Sequence, residues 1–150
     1  MEIERKFLLK TIPADLYTHP CHHIEQGYLC TGPVVRIRKA DHEYYLTYKG
    51  KGKMAREEHN LPLNETSYFH LREKIDGVLI RKTRYLVPLH DGLTAEVDVF
   101  DSPNNGLHLA EVEFESIEQA MSFIPPAWFG EDVTEDGRYH NSYMSGLSTK

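Results

Sequence analysis

The sequence contains little cysteine and no long apolar run. Its 2 cysteines, Cys21 and Cys30, are too few for the disulfide framework of a small secreted domain and lack the paired spacing of a zinc site. No uninterrupted apolar segment approaches the roughly 20 residues of a transmembrane helix, and the charged residues after Met1 do not resemble a signal peptide. We therefore expect a cytoplasmic protein that does not associate with membranes.

The chain also lacks an excess of positive charge. Its 17 lysines and arginines are outnumbered by 23 acidic residues, which gives a formal net charge of −6. A general nucleic-acid-binding protein needs the opposite balance. With 40% hydrophobic residues in 150, the chain has enough apolar surface for one core. We therefore expect a single domain over residues 1–150 without a nucleic-acid partner, and a homodimer stays open.

Apolar and polar residues alternate along most of the chain, and this period of two predicts strands rather than helices. The predicted strands cover residues 2–9, 24–31, 34–40, 43–50, 55–63, 79–88, 93–100 and 109–115. Short turns between several of them require antiparallel neighbours. The pattern predicts a β-meander long enough to curl into an eight-stranded antiparallel β-barrel.

Short helices are predicted between the strands. Asn64 is a suitable cap for a helix that continues to about Asp76. Ser116 and Gln119 have the spacing of a capping box, and a last helix is predicted to begin at 134–137. Strands and helices that are segregated in this way define an α+β fold.

Charged side chains recur at every second position of the predicted strands. In the first strand, Glu2, Glu4 and Lys6 share one face, and Ile3 and Phe7 share the other. The same alternation in later strands selects Arg36, Arg38, Lys49, Arg56, Glu58, Lys82, Arg84, Glu96, Asp98, Glu111 and Glu113. Because helices need an apolar sheet surface to pack on, we expect the helices outside the barrel and the charged faces inside it.

A charged interior is costly to desolvate unless a ligand compensates it. The carboxylates are hard oxygen ligands that suit Mg²⁺ or Mn²⁺. They are Glu2, Glu4, Glu96, Asp98, Glu111 and Glu113. The bases are natural partners of phosphate oxygens. A metal held by carboxylates opposite a basic wall is the arrangement that phosphoryl transfer requires.

A series of short motifs resembles a known family. The opening Glu2-Ile3-Glu4-Arg5-Lys6 is similar to the Glu-x-Glu-x-Lys signature of the CYTH superfamily, the triphosphate tunnel metalloenzymes. The other motifs follow in order over essentially the whole chain: Gln26-Gly27-Tyr28-Leu29, Arg36-Ile37-Arg38, Thr47-Tyr48-Lys49, Arg56-Glu57-Glu58, Lys82-Thr83-Arg84-Tyr85, Glu96-Val97-Asp98, Glu111-Val112-Glu113 and a closing Asp132-Val133-Thr134-Glu135-Asp136 with Arg138-Tyr139 and Asn141. The chain looks most like the short bacterial inorganic tripolyphosphatases.

The resemblance implies a tunnel that binds a linear triphosphate together with a divalent metal. It implies metal-side roles for Glu2, Glu4, Glu96, Asp98, Glu111 and Glu113. It implies a substrate cradle of Lys6, Arg36, Arg38, Lys49, Arg56, Lys82 and Arg84. It also implies catalytic roles for Lys82, Glu58 and Tyr28. Two residues after Glu58, where many family members have another acid, this chain has Asn60.

Two of these catalytic residues have alternative roles. Tyr28 either places its hydroxyl near the phosphates, orders a cradle lysine such as Lys82, or packs within the barrel. Glu58 either holds the bases in place or contacts metal or water. The resemblance does not choose between these roles.

The predicted function is a divalent-metal-dependent hydrolase that converts inorganic tripolyphosphate into phosphate and pyrophosphate. Three alternatives stay open: a class IV-type adenylyl cyclase that makes cyclic AMP from ATP, a nucleoside or thiamine triphosphatase, and a non-catalytic polyphosphate-binding module. The cyclase needs an adenine pocket, which the sequence does not reveal. Product analysis separates the enzymes from the binding module.

Overall fold

The computed structural model describes residues 1–147. Its ten strands are β1 (Glu2–Leu9), β2 (Cys21–Thr31), β3 (Val34–Ala40), β4 (Glu43–Lys49), β5 (Ala55–Arg56), β6 (Glu58–Leu63), β7 (Asp76–Pro88), β8 (Thr94–Ser102), β9 (His108–Glu113) and β10 (Phe129–Asp132). Its α-helices are α1 (Glu65–Arg72), α2 (Ile117–Ser122) and α3 (Asn141–Leu147), and 3₁₀ turns cover Leu16–Thr18, His90–Gly92 and Gly137–Tyr139. Within these described residues, no helix is long and apolar enough to cross a membrane.

The strands form a nearly closed antiparallel ring, which confirms the predicted barrel and the α+β fold class. The strand order is β10-β1-β9-β8-β7-β2-β3-β4-β6, and β5 pairs with β1. At this closure Glu2 lies opposite Arg56 and Ile3 lies opposite Ala55. β5 and β6 together supply one side of the ring, and β10 pairs only with the end of β1 and adds no side, so the ring has eight sides.

Two details of the predicted strands are wrong. The segment 55–63 is two strands separated at Glu57, because β5 pairs with β1 whereas β6 pairs with β4. The sequence also predicts no strand at β10, which is only 4 residues long and does not alternate. β10 pairs with the end of β1 through Phe7 and Leu9.

The outer face of the ring carries an apolar core. Phe7, Val97 and Val112 are fully buried there, in one cluster with Ala120 of α2 and Phe123 after it. α1 contacts β3 and β4. The prediction that helices pack on an apolar outer face is therefore confirmed for α1 and α2.

The C-terminal helix α3 is an exception, because it fills one end of the ring interior. Met144 of α3 belongs to a buried cluster with Tyr28, Ile80, Phe100 and Leu109. Each of these four residues is two positions along its strand from a residue that faces the cavity or is charged. Because residues two apart in a strand share a face, the four residues also point inward. The prediction of outside packing is wrong for α3, whose short mixture of polar and apolar residues carries no signal of its location.

Close packing between α3 and β7 depends on Gly77. Its φ is +70°, and a Cβ added there would lie 2.4 Å from the backbone carbonyl oxygen of Ser145. Glycine satisfies both the left-handed backbone and the close approach. The C-terminal half of α3 is thereby held against β7, one of the strands that carry the charged interior.

The predicted helix caps are confirmed. The Asn64 side chain accepts a hydrogen bond from the backbone N–H of Ser67, at 2.7 Å. The Ser116 hydroxyl likewise accepts from the backbone N–H of Gln119, at 3.0 Å. α1 nevertheless ends at Arg72, earlier than predicted, because the chain has entered β7 by Asp76.

Candidate active site

A cavity of about 440 Å³ lies inside the ring. It is lined by Glu2, Glu4, Lys6, Tyr28, Val34, Arg36, Arg38, Glu43, Tyr45, Lys49, Arg56, Glu58, Asn60, Lys82, Arg84, Glu96, Glu111, Glu113, His140, Asn141 and Ser142. The alternation of the strands thus places acids and bases together in the interior, as expected. The structure brings together all the candidate site residues except Asp98 in the lining of this cavity.

Asp98 lies beneath the cavity surface. Its Oδ2 is 2.7 Å from the Nζ of Lys82 and its Oδ1 is 2.8 Å from the Nε of Arg84, with the carboxylate fully buried. Burial alone raises the pKa of Asp98, but the charges of Arg84 and Lys82 outweigh it and lower this pKa. The structure therefore gives Asp98 the position of a counter-ion for two bases.

Two neighbouring glutamates on β1 and β9, Glu4 and Glu111, have pKa values that are shifted in opposite directions. Burial, reinforced by the charges of Glu111 and Glu2, raises the pKa of Glu4 well above its usual range. Burial also opposes ionisation of Glu111, but Lys6 and Arg84 lower the pKa of Glu111 well below its usual range, and Glu4 hydrogen-bonds to it. Of the two carboxyl groups, Glu4 therefore holds a proton more readily than Glu111 does.

This acidic wall fits a hard divalent cation that also contacts a phosphate ligand. Within residues 1–147, no three histidine, cysteine or acidic side chains converge into a complete metal cage. Mg²⁺, however, is usually held by one or two carboxylates together with waters and phosphate oxygens. A cation bound at Glu4 and Glu111 would favour the ionised form of Glu4. The donor set therefore suits a metal that binds with its substrate.

Most bases of the cavity are paired with carboxylates. These pairs are Lys6 with Glu111 (3.6 Å), Lys49 with Glu2 (2.9 Å) and Glu58 (3.4 Å), Arg56 with Glu2 (3.9 Å), Lys82 with Asp98 (2.7 Å) and Arg84 with Asp98 (2.8 Å) and Glu96 (3.5 Å). Within these pairs a carboxylate fixes the position of each base. The pairs also offset much of the cavity's positive charge.

Arg36 and Arg38 are held differently. Arg36 donates to the hydroxyl of Thr47 at 3.1 Å, and Arg38 donates to the amide oxygen of Gln26 at 2.7 Å. Among the described residues, the buried Nε of Arg36 has no hydrogen-bond partner. Burial and the nearby charge of Arg38 lower the pKa of Arg36 to about 10. This side of the cavity therefore favours an anion.

Lys82 is a buried base with two acceptors. Its Nζ donates to Asp98 and, at 2.9 Å, to the Oδ1 of Asn141. Burial, assisted by repulsion from Arg84 and Arg38, lowers the pKa of Lys82 to about 7 despite the charge of Asp98. Lys82 can therefore exchange a proton near neutral pH.

The remaining candidate residues face the same cavity. Glu58 hydrogen-bonds to Glu2 and lies 3.4 Å from Lys49. Burial opposes its ionisation, but this hydrogen bond and the charges of Lys49 and Arg36 lower the pKa of Glu58. Tyr28 lines the cavity and also packs in the inner apolar cluster. Its side chain is only 3% exposed.

Some cavity residues escape the sequence analysis. Glu43 and Tyr45 continue the alternation of Lys49 along β4, so extending that pattern would have found them. Residues 140–142 reach the cavity from the start of α3. No strand periodicity predicts them, because a helix N-terminus carries them; of the three, the sequence analysis names only Asn141, as part of the closing motif.

Comparisons with known proteins agree with this geometry. A sequence model of the CYTH domain matches residues 1–135. The chain is 42% identical over 148 residues to an inorganic triphosphatase of Nitrosomonas europaea, covering 96% of each. It is 34% identical over 150 residues to an inorganic triphosphatase of Acetivibrio thermocellus, covering 95% of this chain and 92% of that one. A crystal structure of an inorganic triphosphatase superposes with a TM-score of 0.70 at 39% identity, covering 97% of this chain and 94% of that one.

The match extends over all of the strands that build the charged ring. It includes β1, whose Glu2, Glu4 and Lys6 face the cavity, and β9, whose Glu111 and Glu113 face it from the neighbouring strand. The resemblance inferred from the order of the motifs is therefore confirmed: the chain belongs to the CYTH domain family.

Proposed function

We propose that the protein is a divalent-metal-dependent hydrolase whose substrate is inorganic tripolyphosphate. The observation that carries this proposal is the buried guanidinium of Arg36, whose Nε lacks a hydrogen-bond partner among residues 1–147 at the edge of a charged cavity. A phosphate oxygen supplies the missing charged acceptor. Relatives at 42% and 34% identity that are inorganic triphosphatases support a free phosphate chain as the substrate.

The basic side chains form the substrate cradle in this proposal. They are Lys6, Arg36, Arg38, Lys49, Arg56, Lys82 and Arg84, and all of them line the cavity. Hydrolysis develops negative charge on the departing phosphates, and fixed cations in a partly buried site stabilise that charge without reorganising. The carboxylates that pair with most of these bases serve to fix their positions.

The acidic wall holds the metal in this proposal. Glu2, Glu4, Glu96, Glu111 and Glu113 face the cavity and would bind Mg²⁺ or Mn²⁺. Asp98 acts there through Lys82 and Arg84, which it orients. When bound, the metal supplies charge neutralisation and a more acidic water.

The chain's own residues handle the proton and the phosphate groups. A water oxygen forms a bond to a terminal phosphorus, the bond from that phosphorus to the bridging oxygen breaks, and pyrophosphate leaves. Lys82, with a pKa of about 7, is partly neutral at neutral pH; in that form it accepts the proton that the water loses, and as the resulting cation it joins the bases that face the departing phosphates. Tyr28 borders the same space, and Glu58 keeps Lys49 in position.

The direct test is an assay with purified protein, tripolyphosphate and Mg²⁺ or Mn²⁺. We expect one phosphate and one pyrophosphate per turnover, and a loss of at least about a hundredfold in kcat for Glu4→Gln. Glu118→Gln is the matched control, since Glu118 lies on α2 outside the ring. Equal activities of the wild type and Glu4→Gln would overturn the proposal.

Parallel assays distinguish the alternative functions. Cyclic AMP formed from ATP would indicate a cyclase, and faster turnover of ATP or thiamine triphosphate than of tripolyphosphate would indicate an organic triphosphatase. Binding without any product would indicate a polyphosphate-binding module. The cytoplasmic location, the absence of a nucleic-acid partner and the homodimer stay predictions.

A further inference from the structure

Two bases in the tunnel are held only by uncharged groups. In the part of the chain that the structure describes, the other cavity bases each form an ion pair with an acid, whereas Arg36 and Arg38 form none. Both arginines are nevertheless buried, at 5% and 8% exposure. No carboxylate of the described residues therefore lies within ion-pair distance of either guanidinium, in a place where solvation by water is reduced.

Arg38 is oriented by a buried amide. Its Nε donates to the Oε1 of Gln26 at 2.7 Å, and the Nε2 of Gln26 donates to the Oδ1 of Asn141 at 2.9 Å. Gln26 is 0% exposed, so these two bonds fix which way its amide points. The amide oxygen can only face the guanidinium.

Arg36 is oriented by a short relay of hydrogen bonds. It donates to the Oγ1 of Thr47 at 3.1 Å, and the Thr47 hydroxyl donates to the Oδ1 of Asn60 at 2.5 Å. Because the Thr47 proton is directed to Asn60, a lone pair of its oxygen is left for Arg36. Asn60 therefore sets the orientation of a group that it does not itself contact.

We infer that Gln26, Thr47 and Asn60 are positioning residues for substrate, which hold Arg36 and Arg38 without neutralising them, so that this side of the tunnel binds a phosphate chain even without a metal. This inference rests on the proposed triphosphate substrate. A carboxylate at any of the three positions would compete with phosphate oxygens for the same guanidinium groups. Uncharged acceptors fix the geometry and leave the charge for the ligand.

The electrostatics of the cavity agree with this division. Burial and mutual repulsion lower the pKa of Arg36 to about 10, which is the expected consequence of two neighbouring cations without a counter-ion. A polyanion between them removes this repulsion. The acidic wall, in contrast, repels a phosphate chain until a cation binds there.

Substitutions at Asn60 isolate the effect of charge. Asn60 is exposed to the cavity, so an aspartate there stays solvated and the fold is retained. Asn60→Asp keeps the acceptor for Thr47, adds a negative charge and loses the Nδ2 that donates to Glu58 at 3.4 Å, a donor that Asn60→Ala loses as well. Asn60→Ala removes the acceptor and adds no charge. Asn105→Asp, on the exposed turn between β8 and β9, makes the same change in net charge away from the cavity.

The experiment is calorimetric titration of each protein with tripolyphosphate in the presence of EDTA. We expect the wild type and Asn105→Asp to bind equally, Asn60→Asp to bind at least about tenfold more weakly, and Asn60→Ala to lose only about threefold. With metal present, Asn60→Asp should raise KM more than it lowers kcat. If Asn60 had a purely structural role, Asn60→Ala would bind tripolyphosphate no more tightly than Asn60→Asp does.

A second pair of variants tests the relay independently. Thr47→Ser keeps the hydroxyl and should bind tripolyphosphate like the wild type, whereas Thr47→Val leaves Arg36 without its acceptor and should bind more weakly. Thermal unfolding confirms that each variant is folded. Equal binding by Asn60→Asp and the wild type would overturn the inference, as would a wild type that does not bind without metal.

These outcomes separate the inference from the proposed function. A protein that binds tripolyphosphate in EDTA with the expected order of affinities, but hydrolyses none with metal, retains the inference and contradicts the hydrolase. A protein that hydrolyses tripolyphosphate but does not bind it without metal retains the hydrolase and contradicts the inference.

Discussion

Lys82 and Asp98 form an ion pair inside the wall of the tunnel. The Nζ of Lys82 lies 2.7 Å from the Oδ2 of Asp98, and their side chains are 1% and 0% exposed. Asp98 also accepts from Arg84, while Lys82 also donates to Asn141. One carboxylate thus positions two cavity bases and connects β7 and β8, and through Lys82 it is linked to α3.

We predict that Asp98→Asn lowers stability. Removing one partner from a buried ion pair leaves an uncompensated charge, so the free energy of unfolding should fall by about 3 kcal/mol. Urea denaturation measures it. Asp136→Asn is the control, since its partner Arg138 has a side chain 71% exposed and surface pairs contribute little. Unchanged stability with weaker Mg²⁺ binding would instead indicate that Asp98 is a metal ligand.

The stability of the protein should rise with pH above neutrality. Burial lowers the pKa of Lys82 from 10.5 to about 7, so between these values the unfolded chain binds a proton that the native state does not. The contribution to unfolding free energy therefore increases by up to about 1.4 kcal/mol per pH unit through this window. This gain in unfolding free energy is complete above the pKa of Lys82 in the unfolded chain. It is lost as the pH decreases toward the pKa of Lys82 in the folded protein.

Denaturation across this window measures the effect of Lys82. The rise should be absent in Lys82→Met and retained in Lys39→Met, where Lys39 is a lysine on β3. The same rise in all three proteins would show that other groups cause it.

Gly77→Ala should disturb the active site, although Gly77 does not line the cavity. An added Cβ meets the Ser145 carbonyl oxygen at 2.4 Å, so α3 must move away from β7, and Asn141 with it from Lys82. Gly92→Ala is the matched control: its φ of +71° is similar, but no atom lies within 4 Å of the new Cβ. We expect about 1 kcal/mol of strain in Gly92→Ala, with unchanged hydrolysis. Gly77→Ala should lose more stability and also activity.

Metal binding should release a proton from Glu4. Burial and the charges of Glu111 and Glu2 raise the pKa of Glu4, so a cation must displace that proton, and the affinity for Mg²⁺ should increase with pH. Calorimetry in two buffers with different ionisation enthalpies counts the protons released. Glu4→Gln should abolish both the release and the pH dependence. Proton release unchanged by Glu4→Gln would place the titrating group elsewhere.

The alternation of charges predicted the ring and its charged interior because a strand turns successive side chains to opposite faces. Glu2, Glu4 and Lys6 needed no tertiary information to be assigned to one face. The caps Asn64 and Ser116 were equally local, since each hydrogen bond spans only 3 residues.

Other features depend on contacts between distant segments. The separation of β5 from β6 follows from closing the ring onto β1, and the path of α3 into the interior follows from its close approach to Gly77. Neither leaves a periodic trace in the sequence.

The sequence by itself determined which residue types face the tunnel, because side-chain direction in a strand is a local property. Only the tertiary structure decided which acids and bases neutralise each other, because ion pairing depends on distances between strands. It assigned Asp98 to Lys82 and Arg84, and left Arg36 and Arg38 with the uncharged Thr47 and Gln26.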